Sequence, residues 1–508
     1  MLWLAVHLPL LPLEAFCATL PPEQVGRPVA LLRDHVVAQV NTAAAERGLR
    51  PGIKRATALA LAADLLLADS HASREAAALQ GVVHAALAFT PAVTVHDAQT
   101  VLLEVQPSLR LFGGADALHQ KLGAALQPLG HRISTAAAPT ARGAALLAQW
   151  RPPRTELLKG PHTTQLAALQ ALLRQAPVWL LGPGREHWDA LQGMGLHTLA
   201  DLHALPRSGL ARRFGEGLLE ELDQALGLQP DPRTWAQLPE RFDARMELFA
   251  RVDRTELILH GAQVLLARLV AWAQARQGRV AAFTLRMLHE RARDVPEPFT
   301  DLRVELAEPS LDPAHLQMLL RERLGRLALL APTMDLLLHC RHLVAAPAPN
   351  GELFPTRASE AEGLTRLLER LRARLGEEQV QRVVAVADHR PECASRSLPV
   401  DAPAPEGACE PPVLPSTLQP ALPLLRPTWL LADPLPLAAR EWQPLMQGRP
   451  LDLLSGPERI ETGWWDGNPV ARDYYIAQDG SGALVWIYRH RLPVGADQPV
   501  WFLQGLFA

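Results

Sequence analysis

Nine arginines fall between positions 245 and 293: Arg245, Arg251, Arg254, Arg268, Arg276, Arg279, Arg286, Arg291 and Arg293. Guanidinium groups contact phosphates irrespective of base, so this segment is a candidate nucleic-acid face. Many of the nine alternate with acids, and a solvated, salt-bridged surface accounts for the same pattern. Gly193 and Gly195 precede the run Thr198-Leu-Ala-Asp-Leu202. Small residues there let backbone amides approach a phosphate, as in a helix-hairpin-helix, and a plain interhelical turn needs the same glycines. In Asn350-Gly-Glu-Leu-Phe354 an apolar pair lies among Pro347, Pro349 and Pro355. Those prolines disfavour helix, so Leu353 and Phe354 either enter an apolar pocket on a partner or tuck onto the preceding domain. Trp464 and Trp465 are a partner surface or part of a small core, with burial expected of at least one. Cys17, Cys340, Cys393 and Cys409 lie far apart with no CxxC pair. Zinc ribbons and disulfide frameworks therefore fit poorly, a reducing cytoplasm fits, and no metal or cofactor is expected.

The elements that must position these groups follow from length and pattern. At roughly 150 residues per domain, 508 residues imply three or four domains. With 48% hydrophobic and 20% charged residues, most of the chain can bury a core. The net charge of −3 excludes a strongly basic binder but leaves room for a local basic face. Residues 1–345 carry 35 basic and 33 acidic side chains, and residues 346–508 carry 15 and 20. The N-terminus is apolar but has no basic residue before Arg27, and Glu14 and three prolines interrupt it. A buried first strand is expected there, with neither a signal peptide nor a membrane contact.

Strands are expected at 2–8, 29–40, 93–95, 101–105 and 131–137. Helices are expected at 54–67 (Leu59, Ala62, Ala63 and Leu66 on one face), 73–88, 116–126 and 140–149. That order suits an α+β domain with one sheet. Residues 178–226 read as short helices, and 245–340 as a second α+β domain. Leu364, Leu367, Leu368, Leu371 and Leu375 mark one face of an amphipathic helix expected to pack. Residues 391–437 are dense in proline and read as an extended linker. The aromatic-rich end, 450–508, reads as a small β-rich module.

The order of features resembles a Y-family (DinB/UmuC-type) DNA polymerase over residues 1–340. The landmarks are the first strand with His7, Arg27-Pro-Val-Ala30, Gly48-Leu-Arg-Pro-Gly-Ile53, the 93–114 hairpin closing at Leu111-Phe-Gly113, and residues 193–202. The resemblance implies an α+β multidomain fold: palm and fingers over 1–175, a helical thumb over 176–240 and a little finger over 241–344. It is followed by a linker and helix over 345–390, a Pro-rich linker over 391–440 and a C-terminal module over 441–508. Polymerase chemistry needs carboxylates on neighbouring strands to hold two Mg²⁺ ions. Here Pro9, Gln99 and Thr100 stand at those positions, and Thr42 and Ala45 replace the family's triphosphate-contacting Tyr and Arg. Glu14, Asp97 and Glu104 are the acids nearby in sequence, and strand alternation puts Asp97 on the face of Gln99.

The ending is similar to that of the ImuB family, the pseudo-polymerases of the bacterial mutasome. It comprises Leu453-Leu-Ser-Gly-Pro-Glu-Arg-Ile-Glu-Thr-Gly-Trp-Trp-Asp466, Arg472-Asp-Tyr-Tyr475 and Trp501-Phe-Leu-Gln-Gly-Leu-Phe-Ala508. That resemblance implies a non-catalytic adapter in damage-induced mutagenic translesion synthesis, cytoplasmic and associated with the nucleoid. Its implied partners are the DNA sliding clamp, an ImuA-like RecA-related protein, an error-prone replicative-type DNA polymerase, and DNA held weakly. The clamp peptide would be Asn350, Gly351, Glu352, Leu353 and Phe354, with Gln504-Gly-Leu-Phe507 a second candidate. The implied DNA contacts are Arg245, Arg251, Arg254, Arg276, Arg279 and Arg286 with Gly193 and Gly195, and the implied partner surface is Trp464 and Trp465. Two alternatives stay open: an active Y-family polymerase with displaced metal ligands, and a DNA-binding module with no clamp role.

Overall fold

The computed structural model describes residues 1–150, 163–290, 298–329, 331–345, 357–400, 402–403, 426–491 and 500–507. It divides into two compact units, Met1–Arg374 and Leu375–Ala508.

In the first unit an antiparallel palm-like sheet has the order Val93–Asp97, Thr100–Glu104, Trp3–His7, Ser134–Ala138. The central Trp3–His7 strand is apolar on both faces because both are covered. Leu4, Val6, Val101 and Leu103 face the helices Ala72–Leu87 and Ala115–Leu126. Trp3, Ala5, Leu102 and Ala136 face the helix Ala141–Gln149 and the short helices beyond it. One sheet was expected, but the structure has a second. Val29–Arg33 lies between Val36–Val40 (antiparallel) and Leu66–Asp69 (parallel). A two-residue turn closes its hairpin, with Asp34 and His35 both at positive φ, the geometry that matches strand twist. The expected helix 54–67 therefore ends at Leu61. Ala62 is extended, and Leu66–Asp69 finds a backbone partner in the Val29–Arg33 strand. Leu59 is consequently exposed rather than packed.

Short helices from Leu166–Leu173 to Glu216–Leu226 form the thumb-like region around Leu169, Leu199, Leu210 and Leu218. Next comes a sheet of order Phe299–Ser310, Gly278–His289, Thr333–Ala345, Phe242–Val252. Thr255–Ala275 and Pro313–Gly325 cover one of its faces around Trp272, Phe283, Leu285 and Leu336. Thr255–Ala275 is long and apolar enough to cross a membrane, but it is the core helix of this sheet and mostly buried. The helix Arg357–Leu375 packs differently from expectation. Leu364, Leu367 and Leu375 are exposed, while Glu369 and Ala373 are buried. Glu369 accepts the Ala307 amide at 2.8 Å and lies 2.8 Å from His315 Nε2, so polar contacts orient the helix.

The second unit holds a hairpin, Gln381–Ala385 with Ser395–Pro399, and an antiparallel seven-stranded sheet. The Pro-rich span 391–440 is thus not linker throughout. Residues 395–399 pair in the hairpin, and Trp429–Arg440 joins the sheet beside Trp501–Leu506. Proline is tolerated where a strand leaves ladder positions unpaired, as this strand does between Leu430 and Leu435.

Candidate functional site

The palm-like hairpin and first strand bring the expected positions together. His7 pairs with Thr100 across the sheet, and the Leu8 amide donates to the Gln99 carbonyl at 2.8 Å. The chain positions Pro9 and Gln99 are therefore brought to one end of the sheet. His7 Nδ1 lies 2.9 Å from Thr100 Oγ1. Thr100 is fully buried, and burial pulls the His7 pKa down, favouring neutral imidazole. Pro9 offers only its carbonyl, which accepts from Gln39 Nε2 at 2.9 Å.

Of the three neighbouring acids only Asp97 reaches this end. Its Oδ1 accepts the Gln99 amide at 2.8 Å and its Oδ2 accepts Gln149 Nε2 at 3.0 Å. Glu14 instead accepts the Arg132 amide and lies 3.5 Å from His131. Glu104 pairs with Trp3 at the far end of the strand. The side-chain set is thus one carboxylate, one hydroxyl, one imidazole and three carboxamides. Magnesium ions bridged to a triphosphate need more anionic oxygen than that, so these residues do not match a two-Mg²⁺ centre. Among the described residues no group of three or more His, Cys, Asp or Glu is placed to hold a metal. His7, Gln39 and Gln149 had no signal as site residues in the sequence, because their partners lie tens of residues away.

The second candidate is the face of the Phe242–Ala345 sheet that its helices leave open. Strand alternation puts Arg286, Asp301, Leu337 and Arg245 in one row across it, and Arg303, Thr284, His339 and Asp243 in the next. A concavity of about 370 Å³ lies among Arg286, Arg303, His339, Arg341 and His342. Four of the six implied arginines are ion-paired. Arg286 grips Asp301 with both arms at 2.7 Å over the Phe299 ring, and Arg245 grips Asp335 at 3.1 and 3.0 Å. Arg251 meets Glu290 at 2.7 Å and Arg254 meets Glu256 at 3.6 Å. The Arg286 guanidinium accordingly holds the Asp301 carboxyl below its ordinary range. Arg276 and Arg279 have no ion pair among the described residues. Arg268 is not on this face at all: it is buried beneath the sheet. Arg303 and Arg341 belong to the open face, and alternation from Asp301 and His339 would have found them. Arg291 and Arg293 lie outside the described residues.

The remaining candidates separate clearly. Gly193 ends the helix Trp188–Gly193, and Gly195 takes φ +76°, which turns the chain toward Leu199–His203. The nearby amides are already used: Met194, Gly195 and Leu196 donate to backbone carbonyls, and His197 and Thr198 donate to Asp201 Oδ2. The Asp201 carboxylate, in a capping box with Thr198, occupies the place a phosphate would take. Trp464 and Trp465 are both exposed, at 72% and 56%, and stand edge to face at 4.9 Å. Burial of one was expected, but Tyr474, Trp486 and Tyr488 fill that core instead. Gln504 is buried and bonded to Tyr474 Oη and Glu392, so it acts in packing, whereas Leu506 is exposed. The peptide 350–354 lies outside the described residues.

No family model matches the chain. Among solved structures it is similar to an insertion ternary complex of Dbh DNA polymerase, at 16% identity and a TM-score of 0.37. It is similar to DinB from Sulfolobus solfataricus at 17% identity and a TM-score of 0.37. Each likeness covers 68% of this chain and all of the other. Among curated proteins it is 30% identical over 475 residues to Protein ImuB of Caulobacter vibrioides, strains NA1000 / CB15N and ATCC 19089 / CIP 103742 / CB 15. The match takes in 91% of this chain and 100% of that relative, and on that coverage the chain belongs to the ImuB family.

Proposed function

We propose that the chain is a non-catalytic adapter in damage-induced mutagenic translesion synthesis, built on a polymerase-like body. The observation that carries this reading is the palm end of the sheet. Pro9, Gln99 and Thr100 stand where carboxylates would be needed, and the one carboxylate there, Asp97, is held by two amide groups. Neutral side chains cannot supply the anionic oxygens that hold two divalent ions.

In this reading DNA lies on the open face of the Phe242–Ala345 sheet. Exposed ion pairs such as Arg286–Asp301 are worth only about 0.2–1 kcal/mol, so phosphates can replace the carboxylates at little cost. The resulting contact is weak and salt-sensitive. The sliding clamp takes the peptide Asn350–Phe354 through Leu353 and Phe354. A RecA-related partner and an error-prone replicative-type polymerase, which supplies the catalysis, dock elsewhere, with Trp464 and Trp465 one exposed apolar surface available to them. The work is cytoplasmic, at the nucleoid.

Two experiments test this. Primer extension with Mg²⁺ or Mn²⁺ should give no product, and extension abolished by Asp97→Ala would overturn the reading. A clamp pull-down should succeed with the wild-type chain and fail with Leu353→Ala/Phe354→Ala; unchanged retention by the double variant would remove the clamp role.

A further inference from the structure

A second basic cluster lies away from the palm end, at the Phe242–Val252 edge of the same sheet, where Asp243 and the Asp335-paired Arg245 also line it. It sits where the helices Ala72–Leu87 and Thr255–Ala275 meet the strand Phe242–Val252, around a concavity of about 540 Å³. Arg268 lines this concavity and is only 6% exposed. Its stem crosses Gly81 so closely that a Cβ at 81 would lie 3.1 Å from Arg268 Cγ. Among the described residues nothing accepts a hydrogen bond from its guanidinium and no carboxylate pairs with it. Burial pushes its pKa down only to about 10, so it is cationic at neutral pH.

Arg74 stands on the same wall. Its Nη2 donates to the Asp69 carbonyl at 3.1 Å and its guanidinium lies over Phe16, while its buried Nε has no acceptor. Gln80 and His84, bonded to each other at 3.0 Å, add polar groups without charge, since burial pushes the His84 pKa down to about 4. The two carboxylates of the wall do not answer Arg268: Asp243 takes a hydrogen bond from His339, and Glu247 is exposed on the side of Arg74.

An unpaired cation is among the costliest groups to bury, and a guanidinium fork matches the oxygens of an oxyanion. A tetrahedral oxyanion has enough oxygens to meet both the Arg268 and the Arg74 guanidinium groups, whereas a carboxylate has two. The volume is in the range of small-ligand sites. A duplex backbone cannot reach a group this buried. We infer that this concavity binds a small phosphate-bearing molecule of about nucleotide size, its phosphate held by Arg268 and Arg74. Nothing in this site depends on the adapter reading.

The test uses the full chain at matched ionic strength. Calorimetric titration with inorganic phosphate, a nucleoside 5′-monophosphate and the same nucleoside without phosphate is paired with melting curves. Both phosphates should bind saturably and raise Tm by roughly 3 °C at a hundred-fold excess over Kd, and the bare nucleoside should not. Arg268→Met should weaken phosphate at least tenfold and, without phosphate, melt no lower than the wild type. Arg74→Gln, at a half-buried position that tolerates change, should weaken phosphate several-fold, and Arg286→Met should leave it unchanged. Absence of saturable phosphate binding, equal binding of the bare nucleoside, or unchanged binding in both Arg268→Met and Arg74→Gln overturns the site.

Discussion

The palm end and the open face of the Phe242–Ala345 sheet differ in how they became quiet. At the palm end Pro9, Gln99 and Thr100 carry no charge, Asp97 is the one carboxylate among the neighbouring acids to reach it, and Thr100 is buried against His7. On the open face the charges remain but are matched, with Arg286 on Asp301 and Arg245 on Asp335. A buried neutral contact is fixed, because restoring charge there means desolvating it. An exposed ion pair is exchangeable, because water and phosphate compete for both partners. One region holds its polar groups in a fixed neutral contact, and the other holds its charges in pairs that can exchange.

The largest expected effect breaks the palm side. Thr100→Glu should destabilise the chain by about 3 kcal/mol or more in urea melts, with no recovery in Mg²⁺, because it buries a carboxylate without partners. Arg303→Glu on the open face should cost under about 1 kcal/mol. Acid gives the next effect. His84 has a pKa of about 4 in the folded chain and about 6.5 unfolded, so the unfolded chain takes up the proton first as pH falls. The stability owed to its neutral form is full above pH about 6.5 and is lost toward pH 4. His84→Gln should flatten this loss by up to about 3 kcal/mol in pH-dependent melts.

Smaller effects sharpen the binding side. Asp301→Ala releases Arg286, so DNA affinity at low salt should rise by about three- to five-fold. The log–log salt slope should steepen by about one, with stability changed by less than about 1 kcal/mol. An unchanged slope would mean that Arg286 does not meet phosphate. The smallest effect belongs to Asp97→Asn, which keeps the hydrogen-bonding shape. Melts should agree within about 0.5 kcal/mol, and primer extension should be absent in both chains.

The features legible in the sequence were those written locally. The Val93–Glu104 hairpin, the long helix Thr255–Ala275 and the aromatic sheet follow period and turn residues. What escaped depends on distant partners. Gln149 bonds Asp97 across 52 positions, and Glu369 is buried because Ala307 and His315 receive it. A leucine count therefore chose the wrong face of Arg357–Leu375. Arg268 did carry a local signal: Val264, Leu265, Ala271 and Trp272 surround it at helical spacing, an apolar setting that exposed arginines lack.

The Glu369 anchor sets a length limit. The strand Thr333–Ala345 is fixed in its sheet, and the helix that begins at Arg357 is moored through Glu369 to the same domain. Eleven residues, 346–356, connect the two moorings. At about 3.5 Å per residue, contour length alone keeps those two moorings within about 40 Å of each other. Loss of the Glu369 carboxylate would therefore release the second of these two moorings and leave the Ala307 amide and His315 without their acceptor.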